Sequence, residues 1–81
     1  MGKNMKTIHI VEIEWVDSCS KDIIWECKDG LESIVPLPCV SIGYLLEKTK
    51  THITIAQTLS RQAVARRFTI PIGCVKKIRR V

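Results

Sequence analysis

The clearest alternation of apolar and polar positions lies in residues 40–60. Two segments repeat an apolar side chain at every second residue, and the polar loop 47–51 separates them. A period of two on both sides of a short polar loop predicts a β-hairpin. The alternating apolar positions are Val40, Ile42, Tyr44 and Leu46 in the first strand and Ile53 and Ile55 in the second.

Glycine interrupts the first strand of this hairpin. Because Gly43 has no side chain to pack, its place inside a strand predicts a sharp bend or a bulge. Val75 and Ile78 are the apolar anchors of the last strand, but they stand three residues apart, so a bulge or a strong twist is expected there. In the first strand we expect Val11, Ile13 and Trp15 to share one face. The remaining predicted strands are residues 7–16, 66–70 and 75–81.

Residues 17–39 show no comparable alternation. Asp29-Gly30 is a strong turn signal, and two prolines, Pro36 and Pro38, exclude a helix and a central strand. We therefore expect a surface excursion over 17–39 within a single domain, 1–81, whose residues 1–6 are frayed. Four apolar residues are expected to pack the excursion onto the rest of the domain: Ile23, Ile24, Trp25 and Leu31.

Five short antiparallel strands in about 80 residues favour an all-β class and a small closed barrel, because closure removes unpaired strand edges. The string GYLLEKTKTHITIA resembles the first Sm motif, and FTIPIGCVKKI resembles the second. This resemblance implies a five-stranded Sm-like or SH3-like antiparallel barrel. It also implies a homo-oligomer, because Sm-like barrels pair the fourth strand of one subunit with the fifth strand of the next.

The chain is also similar to a family of small phage-encoded proteins, mostly of unassigned function. The shared segments are residues 15–18, 41–46, 56–57 and 70–75. Some small phage proteins of this size counter bacterial defences, including by sequestering nucleotide signals. The similarity implies the cytoplasm of the host cell as the location, and the absence of a signal peptide or a long apolar run in the sequence predicts the same.

The residues that read uridine in Sm proteins are absent here. The Sm pattern places Asp and Asn in the hairpin loop where this chain has Thr49 and Ile53, and Arg before the second glycine where it has Ile72. Without the carboxylate, amide and guanidinium, the resemblance does not imply uridine-rich RNA binding in the usual pore.

Composition narrows the chemistry further. The net charge of +5 favours anionic partners such as nucleotides, nucleic acid or acidic protein surfaces. Four cysteines form no C-x-x-C pair, so neither a zinc site nor another cofactor is predicted. Glu12 and Glu14 could act as paired carboxylates, but a solvated outer face explains them better, and we expect no enzymatic activity.

The basic residues indicate where an anion could bind. Phosphate recognition needs lysine or forked arginine donors, and a base needs an aromatic plate for stacking. Six residues are the predicted ligand-binding set: Tyr44, Lys48, His52, Arg61, Arg66 and Arg67. Trp15 and Trp25 are further aromatic candidates, and for Trp15 a core position is the favoured interpretation.

Two functional hypotheses of different classes follow. The first is a non-enzymatic phage oligomer that binds a small anionic nucleotide and sequesters host cyclic-nucleotide signals. The second is an Sm-like RNA-binding protein. A further alternative is a protein-binding inhibitor of a host factor.

Overall fold

Five antiparallel strands form a single sheet in the computed structural model, which describes residues 8–20 and 24–81. The strands are β1 Ile10–Asp17, β2 Leu37–Lys48, β3 His52–Leu59, β4 Val64–Pro71 and β5 Val75–Arg80. Their order across the sheet is β4-β3-β2-β1-β5, so β4 and β5 are the two ends. One 3₁₀ turn, Ile72–Cys74, is the helical element of the described residues, and no helix among them could cross a membrane.

The predicted hairpin is confirmed. β2 and β3 pair antiparallel from Tyr44 opposite Ala56 to Lys48 opposite Ile53. One bulge at Leu46 places Leu45 and Glu47 opposite consecutive residues of β3. The polar loop shortens to residues 49–51 because both strands extend further than the alternation suggests.

β2 changes partner along its length. Its first part pairs with β1, from Leu37 to Tyr44, and only residues 44–48 pair with β3. Gly43 lies at the change, and a Cβ there would be 2.9 Å from the carbonyl oxygen of Ala56 and 3.1 Å from the Ile55 side chain. Glycine is therefore required at this position because the backbone of β3 comes too close for any side chain.

The buried core is formed by side chains of β1, β3 and β4. Its buried members are Val11, Ile13, Ile53, Ile55 and Ile70, and Trp15, Leu45, Cys74, Val75 and Ile78 pack against them. The shared face of the first strand is thus confirmed. The bulge in the last strand is confirmed too, because the β1–β5 register shifts between Lys77 and Val75, which turns Val75 and Ile78 toward the same core.

The predicted apolar face of β2 is not a core face. Val40 and Ile42 are 62% and 59% exposed, whereas Leu45, from the alternate face, packs on the core. The reason is topological, since residues 37–43 pair with β1 alone and no second layer of described residues covers them.

The prediction that apolar residues pack the excursion down is wrong. Ile24 and Trp25 are 90% and 88% exposed, and Leu31 is exposed as well; Ile23 lies outside the described residues. Pro38 belongs to β2, which is central in the sheet order, contrary to the prediction that the prolines exclude a central strand. Proline is tolerated there because this part of β2 has a free edge toward β3.

We predict that Gly43→Ala lowers the free energy of unfolding by about 1–3 kcal/mol, because the added methyl group meets a backbone oxygen. Gly73→Ala is the matched control, since a Cβ at Gly73 has nothing within 4 Å. Urea unfolding of both variants measures the difference. Equal stabilities would show that β3 does not constrain Gly43.

Candidate functional site

A cleft opens where β2 leaves β3. Beyond the shared ladder, β3 continues with β4 and β2 continues with β1, and the gap between them is an open cleft of about 350 Å³. Its lining combines cationic, amide, hydroxyl and apolar side chains, with no acidic residue among them. The lining residues are Ser41, Ile42, Ile55, Gln57, Arg66, Arg67 and Phe68.

Two consecutive arginines, Arg66 and Arg67, line this cleft together. Consecutive residues of a regular strand point to opposite faces. Arg66 departs from that rule because its backbone has a φ of 58°, the one left-handed non-glycine residue in the described part of the chain. The neighbouring pairs Ala56 with Arg67 and Thr58 with Ala65 are regular, so the irregularity is confined to Arg66.

Left-handed backbone costs an L-residue about 1–2 kcal/mol. Arginine has no local side-chain bond to offset that cost, unlike asparagine or aspartate. The conformation is therefore held by the surrounding strands, and its consequence is that two consecutive arginines line one cleft. Strained backbone at a cleft is a pointer to function.

Phe68 supplies the aromatic surface of the cleft. It is 42% exposed, and its ring lies 5.4 Å from that of Trp15 at a tilt of 56°. This contact spans the sheet from β4 to β1, so the sheet curls over its core. The Trp15 indole Nε1 donates a hydrogen bond to Ser41 Oγ at 2.9 Å, which fixes the indole behind the cleft.

Phe68 was missed by the sequence reasoning, which considered Tyr44, His52 and the two tryptophans for stacking. Its position directly after Arg66-Arg67 is the signal that could have found it. Tyr44 is half-buried opposite Ala56 and does not line the cleft. Trp15 packs against the core, as favoured.

Lys48 and His52 lie at the other end of the hairpin. His52 is three residues from Ile55, the nearest lining residue of the cleft along β3, which is about 10 Å in a strand. Its ring bonds to Glu47 Oε1 through Nε2 and to Thr51 Oγ1 through Nδ1, both at 2.8 Å. These polar contacts occupy both ring nitrogens, so His52 organises the loop.

The predicted set therefore divides into separate groups. Arg66 and Arg67 meet in the cleft, whereas Lys48 and His52 belong to the β2–β3 loop end. Arg61 lies in the exposed connection between β3 and β4 and is not a lining residue.

The Glu12 carboxylate lies outside the cleft and links two strands of the sheet. Arg79 Nε donates to Glu12 Oε1 at 2.8 Å across β5 and β1, and this hydrogen bond holds the pKa of the Glu12 carboxyl below its usual value. Among the described residues, no group of three or more His, Cys, Asp or Glu side chains could hold a metal ion. All four cysteines are free.

We predict that the free energy of unfolding of the Arg66→Gly variant differs from that of the wild type by less than about 1 kcal/mol, because glycine adopts a positive φ without strain. Arg66→Val should be about 1–2 kcal/mol less stable, since a β-branched residue resists this backbone. The order should reverse at Arg67, where valine suits the regular strand better than glycine. Thermal unfolding of the four variants tests this, and the same order at both positions would contradict it.

Comparison with known protein families, curated proteins and solved structures gives no match to this chain. The function of this chain is therefore inferred from the geometry of the cleft and from the chemistry of the side chains that line it.

Proposed function

We propose that this chain is a non-enzymatic, Sm-like binding protein that holds a small anionic nucleotide in the cleft between β2 and β4. The observation that carries this proposal is that Arg66, Arg67 and Phe68 line one cleft. The similarity to small phage proteins suggests the biological setting, in which binding would sequester a cyclic-nucleotide signal of the host cell.

The side chains suit a phosphate and a base together. Each guanidinium can give two parallel hydrogen bonds to phosphate oxygens. The exposed side of Phe68 offers a stacking plate, and stacking on an aromatic ring contributes about 1–3 kcal/mol per base. Gln57 adds an amide that can both donate to and accept from a base edge.

The size of the cleft favours a small ligand over a polymer. About 350 Å³ lies at the lower end of the range of small-molecule sites. An extended RNA strand would need a basic groove that follows its backbone. The other cations of the predicted set, Lys48 and Arg61, lie outside the cleft and do not extend it into such a groove.

A second candidate is supported by a specific observation. Residues 37–43 of β2 leave one edge without a ladder partner in the described structure, and Ser41 and Ile42 of this edge line the cleft. An extended peptide could add to that edge as a further strand. A protein-binding inhibitor of a host factor would use the same cleft in this way.

We predict that cyclic dinucleotides bind with a shallow dependence on salt, because few phosphates are neutralised, whereas oligo-RNA would show a steep decrease. Titration calorimetry at two salt concentrations measures both. Arg66→Gln and Arg67→Gln should each weaken dinucleotide binding about 10- to 100-fold, as expected for loss of a charge-assisted hydrogen bond.

Lys48→Gln is the matched control, since it removes the same charge at the far end of the hairpin. It should leave dinucleotide affinity within about twofold, as expected for a charge outside the cleft. Tight, salt-steep RNA binding that all three substitutions weaken equally would overturn the proposal. Binding of neither ligand would favour the peptide hypothesis.

The Sm-like part of the proposal concerns assembly. β4 and β5 are the ends of the sheet, and each has one edge without a partner in the described residues. If the β4 edge of one subunit pairs with the β5 edge of the next, the contact is heterologous. Such contacts close into a ring if the rotation between subunits allows. Such pairing would protect both edges from aggregation.

We predict a homo-oligomer in which the backbone amides of β4 and β5 become protected. Light scattering gives the mass, and hydrogen exchange compared across a dilution series locates the protected strands. A monomer at all concentrations, or protection that spares both strands, would contradict pairing through the sheet ends.

A further inference from the structure

The most apolar uncovered segment of the described chain is the arm, defined here as residues 24–36. It contains neither strand nor helix, and its apolar side chains face solvent. Soluble proteins rarely leave such a patch uncovered unless it binds a partner. The exposed apolar residues are Ile24, Trp25, Leu31, Ile34 and Val35.

A second uncovered apolar surface lies on the outer face of β1 and β2. This outer ridge consists of Ile10, Val40 and Ile42, all exposed. Val40 stands opposite Glu14 and Ile42 opposite Glu12 in the β1–β2 register, so the two β2 residues are neighbours on one face and Ile10 is diagonal to Ile42.

The arm joins β2 through Pro36-Leu37-Pro38. Proline fixes its own φ and forces the residue before it into extended backbone. Val35 and Leu37 are therefore both extended, and a tight reversal of the chain directly at the junction of the arm with β2 is disfavoured. An arm that leaves its sheet without a reversal at the junction can pack on another protomer.

The net charge of the arm indicates which kind of partner it would bind. The arm carries one lysine and three acidic residues, a net charge of −2, whereas the whole chain carries +5, which leaves +7 on the rest. An acidic apolar segment is repelled by nucleic acid and by anionic membranes, but it is attracted to a basic body. A second copy of this chain supplies that basic body and an uncovered ridge. On the ridge face Glu12 and Glu14 lie beside Ile42 and Val40, and Arg79 and Lys77 stand opposite the two carboxylates, so the attraction comes from the body as a whole.

We infer that the arm of one copy packs on the outer ridge of a second copy, reciprocally about a twofold axis. Gly30 has a φ of 77° and lies in a turn, so the six residues 31–36 are the part of the arm that can extend without interruption, over about 20 Å; the ridge begins three residues past Leu37, about 10 Å along the strand. Each arm is therefore long enough to reach the other copy. This contact requires neither ligand binding in the cleft nor pairing between the sheet ends, although Ile42 belongs to both the ridge and the cleft lining.

Tryptophan fluorescence tests the inference directly, because the chain has only two tryptophans. In Trp15→Phe the emission comes from Trp25 alone, and it should shift to the blue and resist acrylamide quenching as concentration rises. Should Trp15→Phe fail to fold, the difference between wild type and Trp25→Phe provides the same spectrum. Emission typical of solvent-exposed indole at every concentration would overturn the inference.

Two variants identify the contacting surfaces. The arm variant Ile24→Ser/Trp25→Ser and the ridge variant Ile10→Ser/Val40→Ser should each raise the dimer dissociation constant about 100-fold, as expected for truncated interface anchors. Combining them should add little more, because both remove the same contact. Ile72→Ser, at an exposed apolar residue outside both surfaces, is the control.

The outcomes separate this contact from the others. Loss of affinity in the arm variant alone, with the ridge variant unchanged, would overturn the ridge as the receptor. Burial of Trp25 that does not depend on concentration would show that the arm folds on its own body, and that too would overturn the inference. Hydrogen exchange at β4 and β5 should be unaffected by either variant.

Discussion

The close approach of β3 to Gly43 is the constraint on which the rest of this structure depends. At that point β2 leaves one neighbour and continues with the other, so one long strand serves two ladders. A Cβ at 2.9 Å from the Ala56 carbonyl would push the two strands apart. Because glycine allows the contact, Ile53 and Ile55 of β3 reach the residues of β1 and close the core.

The cleft is a direct product of this change of partner. Where β2 and β3 separate, their side chains no longer pack against one another, and the space is lined from β2, β3 and β4. The left-handed backbone at Arg66 then adds a second arginine to the lining of the same space. Two arginines, with no acidic residue among the described lining residues, suit the anionic ligand proposed above.

A small core leaves much of the chain uncovered. Six hydrophobic residues of the described structure are buried, while the arm, the outer ridge and both sheet ends face solvent. A chain of this length buries only a modest share of its surface on folding. The association proposed above would add buried area without lengthening the chain. The sheet ends and the arm offer chemically different contacts for it, one through backbone hydrogen bonds and one through apolar side chains.

Local pattern was sufficient for the elements of the fold. Period-two alternation located the hairpin, and the three-residue spacing of Val75 and Ile78 located a bulge, because both depend on where consecutive side chains point along one strand. Composition and arginine positions also placed Arg66 and Arg67 among six predicted anion-binding residues, and the structure brings these two together in one cleft.

Tertiary structure decided which surfaces are covered and which side chains meet. Val40 and Ile42 alternate as a buried strand should, yet they are exposed because no second layer covers that part of β2. The grouping of Arg66, Arg67 and Phe68, and the separation of Lys48 and His52 from them, depend on strand register and on one left-handed residue. Sequence determined the local geometry of each strand, whereas burial and the cleft arise from contacts between residues far apart in the chain, which no local period encodes.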